Sequence, residues 1–409
     1  MIIRLLVLSI GFSLSALQAQ PLPCDVQDKY NLASGDDPYV HFLRALPADI
    51  SLSRPRTTVT IPVVVHVVAP SGSAPVTRAQ VLHQLDVLNR DMQGLGENTS
   101  KVPDMFRSLI GSVDFQFCLA DTDPGGMPTS GMTLTTTDLR DIGQVYGQEG
   151  RRVLHYDQLG GKSGWDPSLY VNIWVAENGD FLGSATFPGM APFPEETGVV
   201  IHLDNFGSVG EAGASGFFGR GHTLTHEMGH YFGLKHIWGD GLSVSCADSD
   251  DMEDTPNQAG PHYGCPSGEV VSCGSADMVH NFMDFSDDRC LAFFTPDQVA
   301  RMQAVKAVFY PELGEGGTCR ELASDVDAWW DELTWAFDAL SGRYIVFHPR
   351  WDLMGKRVEV FSMDGRLVFA DEWGRQNTHL LDLGRSGAGV YAVRITAGHR
   401  RFVRKLVQY

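Results

Sequence analysis

The stretch His226-Glu-Met-Gly-His-Tyr-Phe-Gly-Leu-Lys-His236 decides the reading of this chain. Two histidines four residues apart on a helix project from one face, a turn apart, so both imidazoles reach a single ion at about 2.0–2.1 Å. Gly233 lets the chain turn where a side chain would clash, and the turn returns His236 as a third ligand. Three neutral ligands leave a zinc ion net positive with an open fourth position, where water ionises near neutral pH. Glu227, beside His226, is placed to take that proton as general base. A histidine met singly is more often a satisfied core or surface residue, and His66, His83, His155, His202, His222, His262 and His280 are read that way. The five specified positions of the stretch are different: they coincide by accident on the order of once in ten thousand chains of this composition. The expectation is a zinc-dependent endopeptidase acting on protein or peptide substrates.

Outward from this helix, predicted over Thr223–Phe232, the chain reads as α+β. The β-branched run Val59–Val68 is a strand buried on both faces. Val81, Leu82, Leu85, Leu88 and Met92 recur at helical spacing behind a Thr77 cap. Further strands are expected at Val113–Leu119 and Leu169–Ala176, giving a mixed twisted sheet with backing and active-site helices. After Gly233 comes an irregular lower subdomain, Gly-, Asp-, Ser- and Cys-rich to about Ser275, which disulfides or bound ions must hold. Gly314-Glu-Gly-Gly317 marks a linker. Beyond it, Arg357–Phe361 and Arg366–Ala370 flank the turn Met363-Asp364-Gly365, with strands at Gly389–Ile395 and Phe402–Val407, a small all-β sandwich. The predicted organisation is a signal peptide at 1–19, a pro-segment at 20–56, the zinc peptidase domain at 57–313, a linker at 314–334 and the sandwich at 335–409.

Arg4, the apolar run Leu5–Leu14 and the small residues Ala16 to Ala19 make the signal peptide, so the chain is expected to be secreted. No apolar run approaches the roughly 20 residues of a transmembrane segment. With 31 basic against 50 acidic residues and a net charge of −19, the surface repels phosphate backbones, and nucleic acid is excluded as a partner. Seven cysteines in an exported chain favour disulfides and leave at least one thiol over. Cys24, alone near the mature start, is the candidate, whereas Cys246, Cys265, Cys273 and Cys290 cluster in one segment.

At the residues quoted first, the chain resembles the metzincin peptidases, whose longer signature is fully present. Asn281-Phe-Met283-Asp284 is similar to their Met-turn, which implies Met283 as a hydrophobic floor beneath the metal. Over roughly residues 58 to 312 the closest resemblance is to the pappalysin family, especially its short microbial members. It rests on Ile61-Pro-Val-Val-Val-His66, Leu88-Asn-Arg-Asp91, Asn172-Ile-Trp174, Asp254-Thr-Pro256 and Phe294-Thr-Pro-Asp-Gln298. The resemblance implies a metzincin-type fold and bridges joining Cys246 to Cys273 and Cys265 to Cys290. Whether Cys118 and Cys319 form a third bridge stays open. It also implies structural calcium at the acidic run Asp248 to Asp254, with Asp250 and Thr255 as ligands, and Cys24 as a latency ligand that keeps water off the zinc.

Two departures from the family pattern stand out. Phe285 replaces a tyrosine whose hydroxyl supports the oxyanion, and losing one such donor costs on the order of a hundredfold in rate. Arg289 stands where arginine-specific members place an acid in the pocket for the side chain after the scissile bond. Pointing inward, it would select acidic or neutral side chains. Phe285 also feeds a rival reading: a catalytically silent zinc-binding relative, acting as an adhesin or decoy. Finally, Val358-Glu-Val-Phe361, Asp364-Gly-Arg366, Gly389-Val-Tyr-Ala-Val-Arg394 and Lys405-Leu406 resemble a type A sorting domain, which implies the type IX (Por) secretion machinery as partner and release outside the cell or attachment at its surface.

Overall fold

A computed structural model of the chain describes residues 22–24, 46, 58–73, 76–207, 216–239, 244–315 and 319, and, in the C-terminal part, 334–338, 343–347, 357–372, 378–381, 383, 389–397 and 400–408. The expected signal peptide, most of the pro-segment and most of the linker lie outside the described residues. Among the described residues no helix is long and apolar enough to cross a membrane.

The elements that build the larger, N-terminal part, in chain order, are β1 (Leu22–Cys24), β2 (Val59–Pro70), α1 (Arg78–Met92), β3 (Phe115–Leu119), β4 (Met132–Thr137), β5 (Val171–Ala176), β6 (Phe181–Ala185), β7 (Val199–His202), α2 (His222–Tyr231) and α3 (Pro296–Phe309). They form a mixed sheet ordered β1-β6-β7-β5-β2-β3, with β4 also pairing β2. Strand β2 lies at its centre, buried from Ile61 to Pro70 as its unbroken β-branched run predicts. Its neighbours β3, β4 and β5 run parallel to it, whereas β6 runs antiparallel to β7.

Helix α1 starts where expected, with the Thr77 hydroxyl accepting from Gln80 N. Its apolar face, including Val81, Leu85 and Leu88, joins Phe115, Phe117 and Phe232 in one core. Its buried polar residues each bind another element, as burial requires. Asn89 exchanges two hydrogen bonds with the Phe117 backbone at 2.7 and 2.8 Å. Gln84 donates to Gly221 O at 2.9 Å, just before α2. Asp91 accepts from the Thr225 hydroxyl at 2.7 Å and faces His222 Nδ1 at the same distance. Helix α1 therefore fixes the first turn of α2. Burial works to lower the His222 pKa, but the Asp91 carboxylate, with Asp288 and Glu97 behind it, lifts it to about 9.

Helix α3 was not anticipated as a helix, although Thr295-Pro-Asp-Gln298 carries a capping box with proline in the first turn. Gln298 also ties the helix to the Met-turn through Asn281, at 2.8 Å, and Tyr310, just after it, stacks on Tyr231 of α2 at 4.8 Å. In the irregular segment the expected bridges are present, Cys246 with Cys273 and Cys265 with Cys290. The open question is answered too: Cys118 of β3 is joined to Cys319.

The C-terminal strands form a three-stranded and a four-stranded antiparallel sheet. Val358, Val360, Tyr391, Val393 and Ile395 of the larger share a core with Leu381 of the smaller, the arrangement of a sandwich. The hairpin turns at Gly365, whose φ of +84° the residue type permits.

Candidate metal centre

The three histidines converge. Nε2 of His230 lies 3.1 Å from Nε2 of His226 and 3.1 Å from Nε2 of His236. His226 Nδ1 donates to Phe282 O at 2.6 Å and His230 Nδ1 to Leu234 O at 2.7 Å. Carbonyl oxygens only accept, so these nitrogens carry the protons and the Nε2 lone pairs face one another. His236 is held differently, its ring stacked on Trp238 at 4.5 Å with the edge of Phe285 at 4.8 Å. All three side chains are buried. Burial, then the charge of His236, lowers the His226 pKa to about 3 and that of His230 well below the ordinary value. Three imidazoles whose Nε2 atoms converge in a site shut away from water are a donor set suited to a metal cation. The edge of a tetrahedron with 2.0–2.1 Å bonds is about 3.3–3.4 Å, so the observed spacing fits zinc.

Glu227 is fully buried on the same helix. Met283 lies beneath, its sulfur against Gly229, where an added Cβ would overlap it. The Met-turn is tied to the stretch after His236, since Ile237 N donates to Met283 O at 3.2 Å. Cys24 also arrives here. Strand β1 pairs parallel with β6, setting Cys24 opposite Gly183. The Cys24 thiol lies 3.6 Å from Glu227 Oε2, and its sulfur joins the three imidazoles within a 4.8 Å cluster of ligand atoms.

Beside His226 opens a pocket lined by Leu182, Phe218, Thr223, Phe285, Asp284 and Asp288. Arg289, the candidate specificity residue, does not line it. It is about half exposed and paired with Asp287 at 3.1 Å. Turned outward, it keeps its guanidinium in water beside the Asp287 carboxylate. The neighbouring Asp288, which the sequence reading passed over, is the wall residue, accepting from Arg220 N at 2.7 Å. Burial raises the pKa of Asp288, and raises that of Asp284 to about 6. Phe285 packs on the rings of His226 and His236 and brings no hydroxyl to the cleft.

At the proposed calcium position Asp250 and Thr255 do meet. The Thr255 hydroxyl donates to Asp250 Oδ1 at 2.7 Å. The other carboxylate oxygen is buried with no partner among the described residues, and burial pushes the Asp250 pKa up to about 7. By contrast His66, set aside as a ligand, is a satisfied core residue between Thr133 at 2.9 Å and Asn172 at 3.1 Å.

Comparison with known proteins agrees with this architecture. A family profile described as pregnancy-associated plasma protein-A, peptidase M43, matches residues 156–307. A protein named extracellular metalloprotease from Verticillium alfalfae is 32% identical over 260 residues, 61% of this chain and 76% of the relative. One of the same name from Pyricularia oryzae is 32% identical over 272 residues, 64% and 80% of the two chains. Among solved structures, a promirolysin variant from Tannerella forsythia matches with TM-score 0.64 and 33% identity, covering 72% of this chain and 97% of the other. Mature mirolysin in complex with a cleaved peptide matches with TM-score 0.59 and 36% identity, covering 64% and 97%. With the histidine cluster in place and relatives matched over three quarters of their length, the chain belongs to the M43 metalloproteases, the family of pregnancy-associated plasma protein-A.

Proposed function

We propose that the chain is a secreted zinc-dependent endopeptidase, with His226, His230 and His236 holding the ion and Glu227 as general base and acid. The observation that carries this reading is the convergence of the three Nε2 atoms, with that of His230 3.1 Å from each of the other two, beside the buried Glu227 carboxyl on the helix that bears His226 and His230. When bound, zinc supplies Lewis-acid polarisation of the substrate carbonyl and makes water acidic enough to lose a proton near neutral pH. Glu227 accepts that proton as the water oxygen bonds to the carbonyl carbon, then delivers it to the amine nitrogen as the C–N bond breaks. Strand β6 offers its outer edge to an extended peptide, the edge that β1 takes in this structure. The test is hydrolysis of casein or gelatin by the chain freed of its N-terminal segment, compared with Glu227→Ala. A chain turning over neither protein would favour the silent relative, the reading to which Phe285 lends support.

The pocket beside His226 gives a substrate preference. With Asp284 and Asp288 in the lining, His222 already paired with Asp91 at 2.7 Å, and Arg289 outside, the pocket carries a net negative balance. Arginine or lysine directly after the scissile bond is the expected choice, the reverse of what an inward Arg289 would impose. Cleavage-site profiling on a peptide library should show it, with the basic preference weakened on the order of tenfold in Asp284→Asn. A preference for acidic residues in that position would sink this assignment.

Calcium fits the Asp250 position, because a hard cation would satisfy the buried carboxylate oxygen and relieve the burial that holds its pKa near 7. A carboxyl whose folded pKa is raised weakens the fold as pH climbs from its ordinary value through 7. The stabilisation by calcium should therefore be small at pH 5 and largest above pH 7. Thermal melts with calcium and with EGTA read this directly, and an equal calcium effect in Asp250→Asn removes Asp250 from the site.

A further inference from the structure

Gly183 sits in the middle of β6, where a glycine costs roughly 0.5–1 kcal/mol relative to alanine. Its backbone does not require it, since Gly183 is absent from the positive-φ glycines. What it provides is clearance. A Cβ built at Gly183 would stand 2.6 Å from Oε1, 2.7 Å from Cγ and 2.9 Å from Cδ of Glu227. The carboxyl of the proposed base therefore occupies the volume that any other side chain at 183 would claim.

Neither supporting element is free to yield. Strand β6 is paired with β7, Gly183 opposite Ile201, and the adjacent Ser184 hydroxyl accepts from the buried Arg152 guanidinium at 3.1 Å. Helix α2 is held through Asp91, which grips both His222 and Thr225. With both backbones clamped, the group that moves is the Glu227 carboxyl.

We propose that Gly183 is a positioning residue for the general base: the missing side chain is the slot that lets Glu227 stand beside the three imidazoles. The inference rests on the reading of Glu227 as base. A base must lie within about 2.6–3.2 Å of the proton it takes, and a misplacement of roughly 1 Å costs on the order of a hundredfold.

The test is a cycle of the full-length chains of wild type, G183A, E227A and G183A/E227A, followed by thermal melting and zinc content, with kinetics on the forms freed of the N-terminal segment. G183A should lose on the order of a hundredfold in kcat with KM within about threefold and zinc content unchanged. Its melting temperature should fall relative to wild type, while the same substitution in the E227A background, where the opposing carboxyl is gone, should be neutral or stabilising. Should G183A not fold, folding of G183A/E227A supports the proposal and failure of both overturns it. Equal melting penalties in the two backgrounds, or a G183A enzyme within about threefold of wild-type kcat, also overturn it. A wild-type chain without peptidase activity would count against the base assignment alone, and the melting cycle would still decide the contact.

Discussion

Glu227→Ala is expected to lower turnover of casein by on the order of 10³–10⁴-fold while leaving zinc bound at the wild-type ratio. The separation of the two effects follows from the geometry. The three ligand nitrogens are oriented by Phe282 O, by Leu234 O and by the stack on Trp238, none of which involves Glu227. Removing the carboxylate therefore leaves the ligand set standing and takes away only the proton carrier. It also removes a fully buried acidic group, so the melting temperature should hold or rise. KM should change little, because a group acting on the proton in flight contributes mainly to the transition state. Equal turnover in wild type and variant would refute the base assignment, and a variant that loses zinc would make Glu227 a structural residue instead.

The second large effect is expected at Cys24. We propose that its thiol holds the chain latent by standing where the attacking water has to be. Among the described residues, strand β1 pairs with β6 at Leu22 with Phe181 and at Cys24 with Gly183. The sulfur at the ligand cluster adds a contact at the site itself. Cys24→Ala in the full chain, N-terminal segment intact, should raise peptidase activity on the order of a hundredfold above the untreated wild type, nearly to the level of the processed enzyme. The readout is initial rate before any cleavage of the N-terminal segment, followed by gel. A variant as silent as wild type would show that the segment blocks the cleft without help from the thiol.

How much of this was legible beforehand depended on how local the information is. The spacing His226, His230, His236 fixes one helix face and one turn, so the site was readable from eleven residues. Strand β2 and helix α1 were legible because each carries a long unbroken pattern. Strands β6 and β7, Phe181–Ala185 and Val199–His202, are short, and β6 carries a glycine and a serine, so nothing in its composition separates it from a loop. The pocket wall was not legible for a similar reason. Arg289 and Asp288 are neighbours, and which one turns inward is set by where their turn meets Arg220, a contact 68 residues away in sequence. The grip of Asp91 on His222 spans 131 residues. The ion pair of His222 with α1 is visible only in three dimensions.

The bridge between Cys118 and Cys319 carries a consequence for how the molecule can be trimmed. Residue 319 is stapled to β3, the edge strand at one end of the catalytic sheet, and continues its hydrogen bonding at Ala120. In an oxidising medium, hydrolysis of the backbone between 315 and 319 would thus nick the protein without shedding its tail. Only a cut on the far side of that sulfur, or a reductant, lets the two parts diffuse away from each other.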